Sequence, residues 1–182
     1  MIPDTLEQVL DITRSKNLKL KSDIAERTQK SILLGQDQYM SSDNMYRHLN
    51  MLENLVPKTS DASARLWIDT LLFRSSTMVP AGKSMILNLE YGALALTSST
   101  KLSGCIDYTA ILIDNEDFDV VFTSASILNI KQQLPTGFFV IEVKPDGRFL
   151  DDHIPQAIAE MYGCARIMQK DIIRGALTNG LD

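Results

Sequence analysis

The apolar stretch at residues 138–144 constrains the fold of this chain more than any other feature of its sequence. Its aromatic and β-branched residues predict a buried strand. Because side chains alternate between the faces of a strand, Glu142 and Lys144 point to one side and the apolar residues beside them to the other. Charged side chains are seldom buried unless they are paired or coordinate something. The turn at 145–147 puts this pair near the carboxyl end of the strand, where α/β proteins tend to keep their sites.

Two interpretations of Glu142 and Lys144 follow from their chemistry. A carboxylate beside a lysine suits a metal-assisted hydrolase, because the carboxylate can ligate a hard cation while the lysine holds or deprotonates a water. The same two residues also suit a solvent-exposed strand, where such a pair contributes at most about 1 kcal/mol. The residues alone leave both interpretations open.

The composition indicates an ordinary globular protein. The chain has 182 residues, enough for one domain with a real core, and its apolar and charged fractions are 45% and 23%. A formal net charge of -5 argues against a protein that coats nucleic acid non-specifically. It does not exclude a nucleic-acid enzyme, because a bound divalent cation or a local basic groove can offset the acidic average.

Cysteine usage and hydropathy predict an intracellular protein, nuclear or cytoplasmic. Cys105 and Cys164 lie far apart and form neither a disulfide framework nor a zinc motif, which favours free thiols in a reducing compartment. The first residues show no basic segment followed by an apolar one, so no secretory signal is predicted. No apolar run approaches the roughly 18 residues of a membrane span, and no membrane partner is expected.

Hydrophobic periodicity predicts helices first and a sheet afterwards, with N-cap clusters at 41–43 and 59–61. The predicted elements are helices within 4–34, 45–55 and 60–74, strands at 85–91 and 104–113, a short strand at 119–123, a helix at 125–130, the strand at 138–143, a helix after 151–152 and a strand at 174–180. This order predicts an α/β fold with a mixed sheet of about four strands flanked by helices. Residues 1–58 are expected to be a helical extension packed on a core of residues 59–182. Since the chain stops almost on the last predicted strand, it is compatible with a piece of a longer protein.

One face of the helix predicted at 60–74 carries charges. Asp61, Arg65 and Asp69 recur at every fourth position and therefore lie on the same side. A salt-bridged surface stripe explains this spacing, and so does a face that looks across to the strand of Glu142. The sequence leaves both explanations open.

Three motifs follow one another in a known order. They are an Asp on one strand, a Glu-x-Lys on a later strand and a Gln at the start of the next helix. The residues concerned, with the strand that closes the pattern, are Asp107, Glu142, Lys144, Gln156 and 177–180. Over residues 59–180 the chain resembles the PD-(D/E)XK nuclease superfamily. Its Ile-Asp-Tyr-Thr and Glu-Val-Lys-Pro strands are similar to those of nuclease-like proteins abundant in basidiomycete fungi. The resemblance implies a restriction-endonuclease-like core, αβββαβ, with a mixed central sheet flanked by helices.

The resemblance also implies a reaction and roles for individual residues. It implies a nuclease that hydrolyses phosphodiester bonds of DNA or RNA with Mg²⁺ or Mn²⁺. Asp107 and Glu142 would ligate the cation, and Lys144 would position or activate the attacking water. Gln156 would orient Lys144 or contact the nucleic-acid backbone. Hard oxygen ligands suit Mg²⁺, which stabilises charge on the phosphate and lowers the pKa of its water.

The first motif of the superfamily, an acid that is usually Glu on the helix before the sheet, is not matched. The helix at 60–74 has no Glu, so Asp61 is the first candidate for a third metal ligand, followed by Asp69 and by Glu90 on the first strand. Asp reaches about one methylene less far than Glu, which matters when Mg²⁺ ligands lie within about 2.1 Å. This departure and the acidic pI favour a second interpretation, a catalytically inactive nuclease-like domain that serves as a protein-interaction or structural module.

Overall fold

The computed structural model describes residues 8–13, 23–34, 37, 39–96, 101–124, 137–145 and 149–180. The α-helices with fully described bounds are α1 (Ile24–Leu34), α2 (Ser42–Leu55), α3 (Asp61–Ser76), α4 (Phe118–Ser124) and α5 (Ile154–Met168). The strands are β1 (Lys83–Leu96), β2 (Lys101–Asp114), β3 (Gly137–Val143) and β4 (Arg174–Thr178). Among these residues, no helix is both long and apolar enough to cross a lipid bilayer.

The four strands form one mixed sheet in the order β1-β2-β3-β4. β1 and β2 are antiparallel over nearly their whole length, and β2 and β3 are antiparallel from the pair Leu112↔Gly137 to the pair Tyr108↔Ile141. β4 runs parallel to β3 after a crossover through α5. The predicted α/β fold, with a mixed four-stranded sheet and flanking helices, is confirmed.

Helices cover both faces of the sheet, and each face has its own apolar core. Val140 and Ile141 are neighbours on β3 and therefore point to opposite faces. Val140 belongs to the cluster beneath α5, with Ile86, Ile106, Ile111, Ile113, Val121, Cys164 and Met168. Ile141 belongs to the cluster beneath α3, with Ala64, Ile68, Tyr108 and Val143. Glu142, two residues after Val140, therefore faces α5.

The two cysteines are free thiols, as the sequence predicts. Cys164 lies on α5 and is fully buried in the core beneath that helix, whereas Cys105 on β2 is exposed. Burial raises the pKa of the Cys164 thiol to about 12, so this side chain is an uncharged apolar group at neutral pH. No disulfide joins the two cysteines.

Serine caps start α2 and α3 where the sequence predicts them. Ser41 Oγ accepts the N–H of Asn44 at 3.3 Å. Ser60 Oγ accepts the N–H of Ser63 at 3.2 Å, and Ser63 Oγ accepts the N–H of Ser60 at 3.0 Å, which completes a capping box. Each such cap contributes about 1 kcal/mol, so both helix starts are determined locally.

One of the predicted strands is a helix. Residues 119–123 lie within α4, so the strand expected there is wrong. Phe118 and Phe122 stack with ring centroids 5.2 Å apart, and Val121 is buried beside them. In so short a segment the apolar pattern fits both periods, and the burial of one helical side decides between them. The helix predicted at 125–130 lies outside the described residues.

A buried arginine joins the N-terminal helices to α3. Arg74, in the last turn of α3, is 5% exposed. Its guanidinium donates to the carbonyl of Met40, to the carbonyl of Ser31 at 2.6 Å and to Ser42 Oγ at 2.9 Å. Ser31 lies on α1 and Ser42 opens α2, so one side chain connects three helices.

Replacing Arg74 by Met should lower the free energy of unfolding by about 2–4 kcal/mol, because the substitution removes the donor from several oxygens at once. Arg47→Met is the matched control. Arg47 is exposed on α2 and pairs with Asp43 at 2.8 Å along the helix, so its loss should cost no more than about 0.5 kcal/mol. Urea unfolding followed by circular dichroism measures both variants. Equal losses would show that Arg74 does not hold the helices together.

Candidate functional site

β2 and β3 separate at the residues that the sequence singles out. Their backbone pairing ends at Tyr108 and Ile141. β3 then continues to Val143 alongside β4, whereas β2 continues alongside β1. Asp107 and Glu142 are the first residues beyond the last pair, so both stand where the two strands part.

Asp107 bridges the gap between the diverging strands. Its Oδ2 accepts the backbone N–H of Val143 at 2.8 Å, in place of the ladder bond that the separated backbones cannot make. Its Oδ1 accepts a hydrogen bond from the guanidinium of Arg65 on α3, and the two groups form an ion pair. The side chain is 12% exposed. Both oxygens of Asp107 therefore have partners within the chain.

Arg65 connects α3 to two strands of the sheet. Its Nη1 binds Glu90 Oε1 at 2.6 Å, and its Nη2 binds Asp107. The bond to Glu90 and the charge of Asp107 raise the pKa of Arg65 despite its partial burial, so the guanidinium stays charged. Its ion pairs leave α3 instead of running to Asp61 or Asp69 along the helix. The charged face of α3 therefore looks onto the sheet at Arg65.

Three of the predicted site residues meet at Glu142. This carboxylate is 2% exposed, and its Oε1 accepts from Lys144 Nζ at 2.7 Å and from Gln156 Nε2 at 2.6 Å. The burial of Glu142 rules out the solvent-exposed strand that the sequence left open. Gln156 lies in the first turn of α5 and contacts Glu142, so the carboxylate is the group that it orients directly.

A second buried carboxylate, Glu160, joins this cluster and is not among the residues that the sequence patterns single out. It is 5% exposed on α5, and its Oε1 accepts from Gln156 Nε2 at 2.9 Å. Burial and then the contact with Glu142 raise the pKa of Glu160 to about 8. Its spacing of four residues from Gln156, on the same side of a helix, is the signal that could have identified it.

In the absence of divalent cations, the free energy of unfolding should fall as the pH rises from about 5 to about 8. In this range the folded protein keeps a proton on Glu160, whereas the unfolded chain, with an ordinary Glu pKa of 4.5, has released it. The proton therefore stabilises the folded state at the acid end, and the slope can reach about 1.4 kcal/mol per pH unit.

Glu160→Gln should remove this pH slope, because the amide does not titrate. Glu116→Gln, which changes an exposed carboxylate, should keep it. Denaturant unfolding in EDTA at several pH values measures the slopes of the two variants and of the unmodified protein. Equal slopes in all three proteins would contradict a raised pKa at Glu160.

The three candidates for the acid of the first motif, all of them described residues, are not bonded to the cluster around Glu142. Asp69 accepts the hydroxyl of Tyr108 at 2.8 Å, and burial together with this bond raises the pKa of Tyr108. Glu90 is paired with Arg65. Asp61 is exposed in the first turn of α3. In the part of the chain that the structure describes, no hydrogen bond or ion pair joins any of the three acids to the Glu142 cluster.

Two carboxylate oxygens of the cluster lack hydrogen-bond partners among the residues that the structure describes. Glu142 Oε2 and Glu160 Oε2 are buried and have no hydrogen-bond partner while both groups are ionised. Such oxygens are costly to bury, and either a shared proton or a hard cation would satisfy them. Within the described ranges, no group of three or more His, Cys, Asp or Glu side chains is arranged to hold a metal ion. The chemistry of the two free oxygens nevertheless fits Mg²⁺, which commonly binds through one or two protein carboxylates.

Comparisons with known proteins do not assign a family. No protein-family model matches the chain, and no significant match was found among curated proteins or solved structures. The function of the site must therefore be inferred from its side chains and their contacts.

Proposed function

We propose that this protein is a nuclease that hydrolyses phosphodiester bonds of DNA or RNA with Mg²⁺ or Mn²⁺. The observation that carries the proposal is the buried Glu142, to which Lys144 and Gln156 both donate, beside the point where β2 and β3 part. Buried charged groups are costly, and their concentration is typical of functional sites. The order α3, β1, β2, β3, α5, β4 supports a restriction-endonuclease-like core, with α4 as an insertion.

Glu142 and Asp107 are the proposed ligands of the cation. When bound, the cation supplies stabilisation of charge on the phosphate and an acidified water. Glu142 would bind it through Oε2, which has no other partner. Asp107 is paired with Arg65 through Oδ1, so it becomes available only when Arg65 moves away. A released Arg65 is a charged guanidinium that can bind a phosphate group.

Lys144 and Gln156 act through the hydrogen bonds that they donate. Lys144 Nζ is bound to Glu142 and its side chain is 14% exposed, so it can also hold a water and set its direction of attack. Gln156 fixes the orientation of Glu142 through its 2.6 Å bond and so determines where the free oxygen points.

Cleavage of plasmid DNA and of single-stranded RNA tests the proposal. In Mg²⁺ or Mn²⁺ the purified protein should cut at least one substrate, and excess EDTA should stop the reaction. Glu142→Gln keeps the shape of the side chain but removes its charge, and should lower the rate by at least about 100-fold. Glu116→Gln should cleave at the rate of the unmodified protein. Absence of cleavage of both substrates by folded protein, with either cation, would overturn the proposal.

The ion pair between Arg65 and Asp107 favours a second candidate, a catalytically inactive nuclease-like domain that serves as an interaction or structural module. An arginine held by both Glu90 and Asp107 neutralises a carboxylate that a nuclease would use for metal binding. Calorimetric titration with Mg²⁺ separates the nuclease from an inactive module whose cation site this ion pair blocks. An inactive module of this kind gives no heat of binding, whereas the nuclease binds the cation and Asp107→Ala weakens the binding.

A further inference from the structure

A second carboxylate faces Glu142 from α5. Glu160 is 5% exposed and packs against β2 at Gly104, where a Cβ would lie 3.4 Å from Glu160 Oε1. The carboxylate therefore lies in van der Waals range of the strand at this position. This position is three residues along β2 from Asp107, beside the separation of β2 and β3.

The amide of Gln156 fixes both carboxylates. Its Nε2 donates to Glu142 Oε1 at 2.6 Å and to Glu160 Oε1 at 2.9 Å, which uses both of its protons. The other oxygen of each carboxylate is buried and has no partner while both groups are ionised. Two carboxylates joined by one amide are also close enough to repel each other when both are ionised. The two free oxygens therefore call for either a shared proton or a cation between them.

The positive side chains nearby do not fill this position. Lys144 is paired with Glu142 Oε1, the oxygen that Gln156 already contacts. Arg65 is paired with carboxylates of β1 and β2. Neither Lys144 nor Arg65 is paired with Glu160. The Glu160 carboxylate therefore accepts a hydrogen bond from the Gln156 amide but has no counter-charge among the described residues.

We infer that Glu160 is a ligand of the divalent cation, supplied by α5 and acting together with Glu142. This inference deepens the proposed nuclease and rests on it. Mg²⁺ is usually held by one or two protein carboxylates, with waters and substrate phosphates completing its coordination. The two free oxygens supply that contribution. Glu160 thereby takes the place of the Glu that α3 lacks. Asp61 is exposed, and Asp69 and Glu90 have other partners.

Calorimetric titration with MnCl₂ tests the role of Glu160. The unmodified protein should bind Mn²⁺, and Glu160→Gln should lower the affinity by at least about tenfold, as Glu142→Gln should. Glu116→Gln should leave the affinity unchanged. The introduced amide can donate to the free oxygen of Glu142, so Glu160→Gln is expected to fold, which circular dichroism checks. The rise in melting temperature caused by Mn²⁺ should shrink in the same variant.

The outcomes separate this inference from the proposed function. Unchanged Mn²⁺ affinity in folded Glu160→Gln, with a loss in Glu142→Gln, would overturn the role of Glu160 and leave the nuclease proposal standing. A loss of affinity in both variants, in a protein that cleaves neither DNA nor RNA, would support the cation site and overturn the nuclease. A protein that binds no Mn²⁺ would overturn both.

Discussion

Replacing Lys144 by Met should lower the rate of phosphodiester cleavage by about 10²–10⁴-fold while the affinity for Mn²⁺ is retained. Methionine has a similar length but cannot donate a hydrogen bond or carry charge. Lys144 Nζ lies 2.7 Å from Glu142 Oε1, so it can hold a water next to the cation that Glu142 ligates. Its removal leaves the Oε2 atoms of Glu142 and Glu160 unchanged. Chemistry and metal binding should therefore respond differently.

Single-turnover cleavage and calorimetry on the same preparation measure the two effects. Lys30→Met is the control, because Lys30 lies on α1 and pairs with Glu26 at 2.6 Å on an exposed surface. It should cleave at the rate of the unmodified protein. Cleavage by Lys144→Met at that same rate would show that the lysine has another role. Parallel losses of cleavage and of Mn²⁺ affinity would make it a structural part of the cation site.

Asp107→Asn should lower the cleavage rate by at least about 100-fold with little loss of stability. Asp107→Ala should lower both the cleavage rate and the stability. The carboxylate accepts the N–H of Val143 and the guanidinium of Arg65. Asparagine keeps an oxygen for the Val143 amide, so its cost should be about 1 kcal/mol. Alanine leaves that buried N–H without an acceptor and should cost about 2–3 kcal/mol. Both substitutions remove the charge that a metal ligand needs.

Urea unfolding and cleavage assays on the two Asp107 variants separate these contributions. Asp119→Asn, an exposed position on α4, is the control for both measurements and should change neither. A rate in Asp107→Asn equal to that of the unmodified protein would show that this carboxylate serves the fold alone. Its ion pair with Arg65 would then be a structural contact between α3 and β2.

The features of the fold that the sequence predicts correctly are mostly determined by local sequence. The serine caps at Ser41 and Ser60 set the starts of α2 and α3, and β3 follows from a run of β-branched and aromatic residues. Tertiary packing decides what could not be predicted. In a regular strand Ile106 and Tyr108 would share a face, yet Ile106 packs beneath α5 and Tyr108 beneath α3. Such a change of face is invisible to a pattern of alternating residues.

The same division holds for the candidate site. A period of two predicts that Glu142 and Lys144 lie on one side of β3, and the structure places them 2.7 Å apart. The periodicity of the strand does not predict the partners of Asp107, because Arg65 binds it from a different element, the helix α3. The sequence motif does not single out Glu160, because the motif ends at Gln156 and the burial of a carboxylate one turn later is a tertiary property.

X-ray diffraction from crystals grown with Mn²⁺, with data collected at the manganese absorption edge, tests the central claim most directly. We expect an anomalous peak at coordination distance from Glu142 Oε2, beside Glu160 Oε2 and the point where β2 and β3 part, with Asp107 released from Arg65 as a further ligand. Crystals at saturating Mn²⁺ with no peak at these oxygens, and with Arg65 still bound to Asp107, would contradict a metal-dependent site in this cluster.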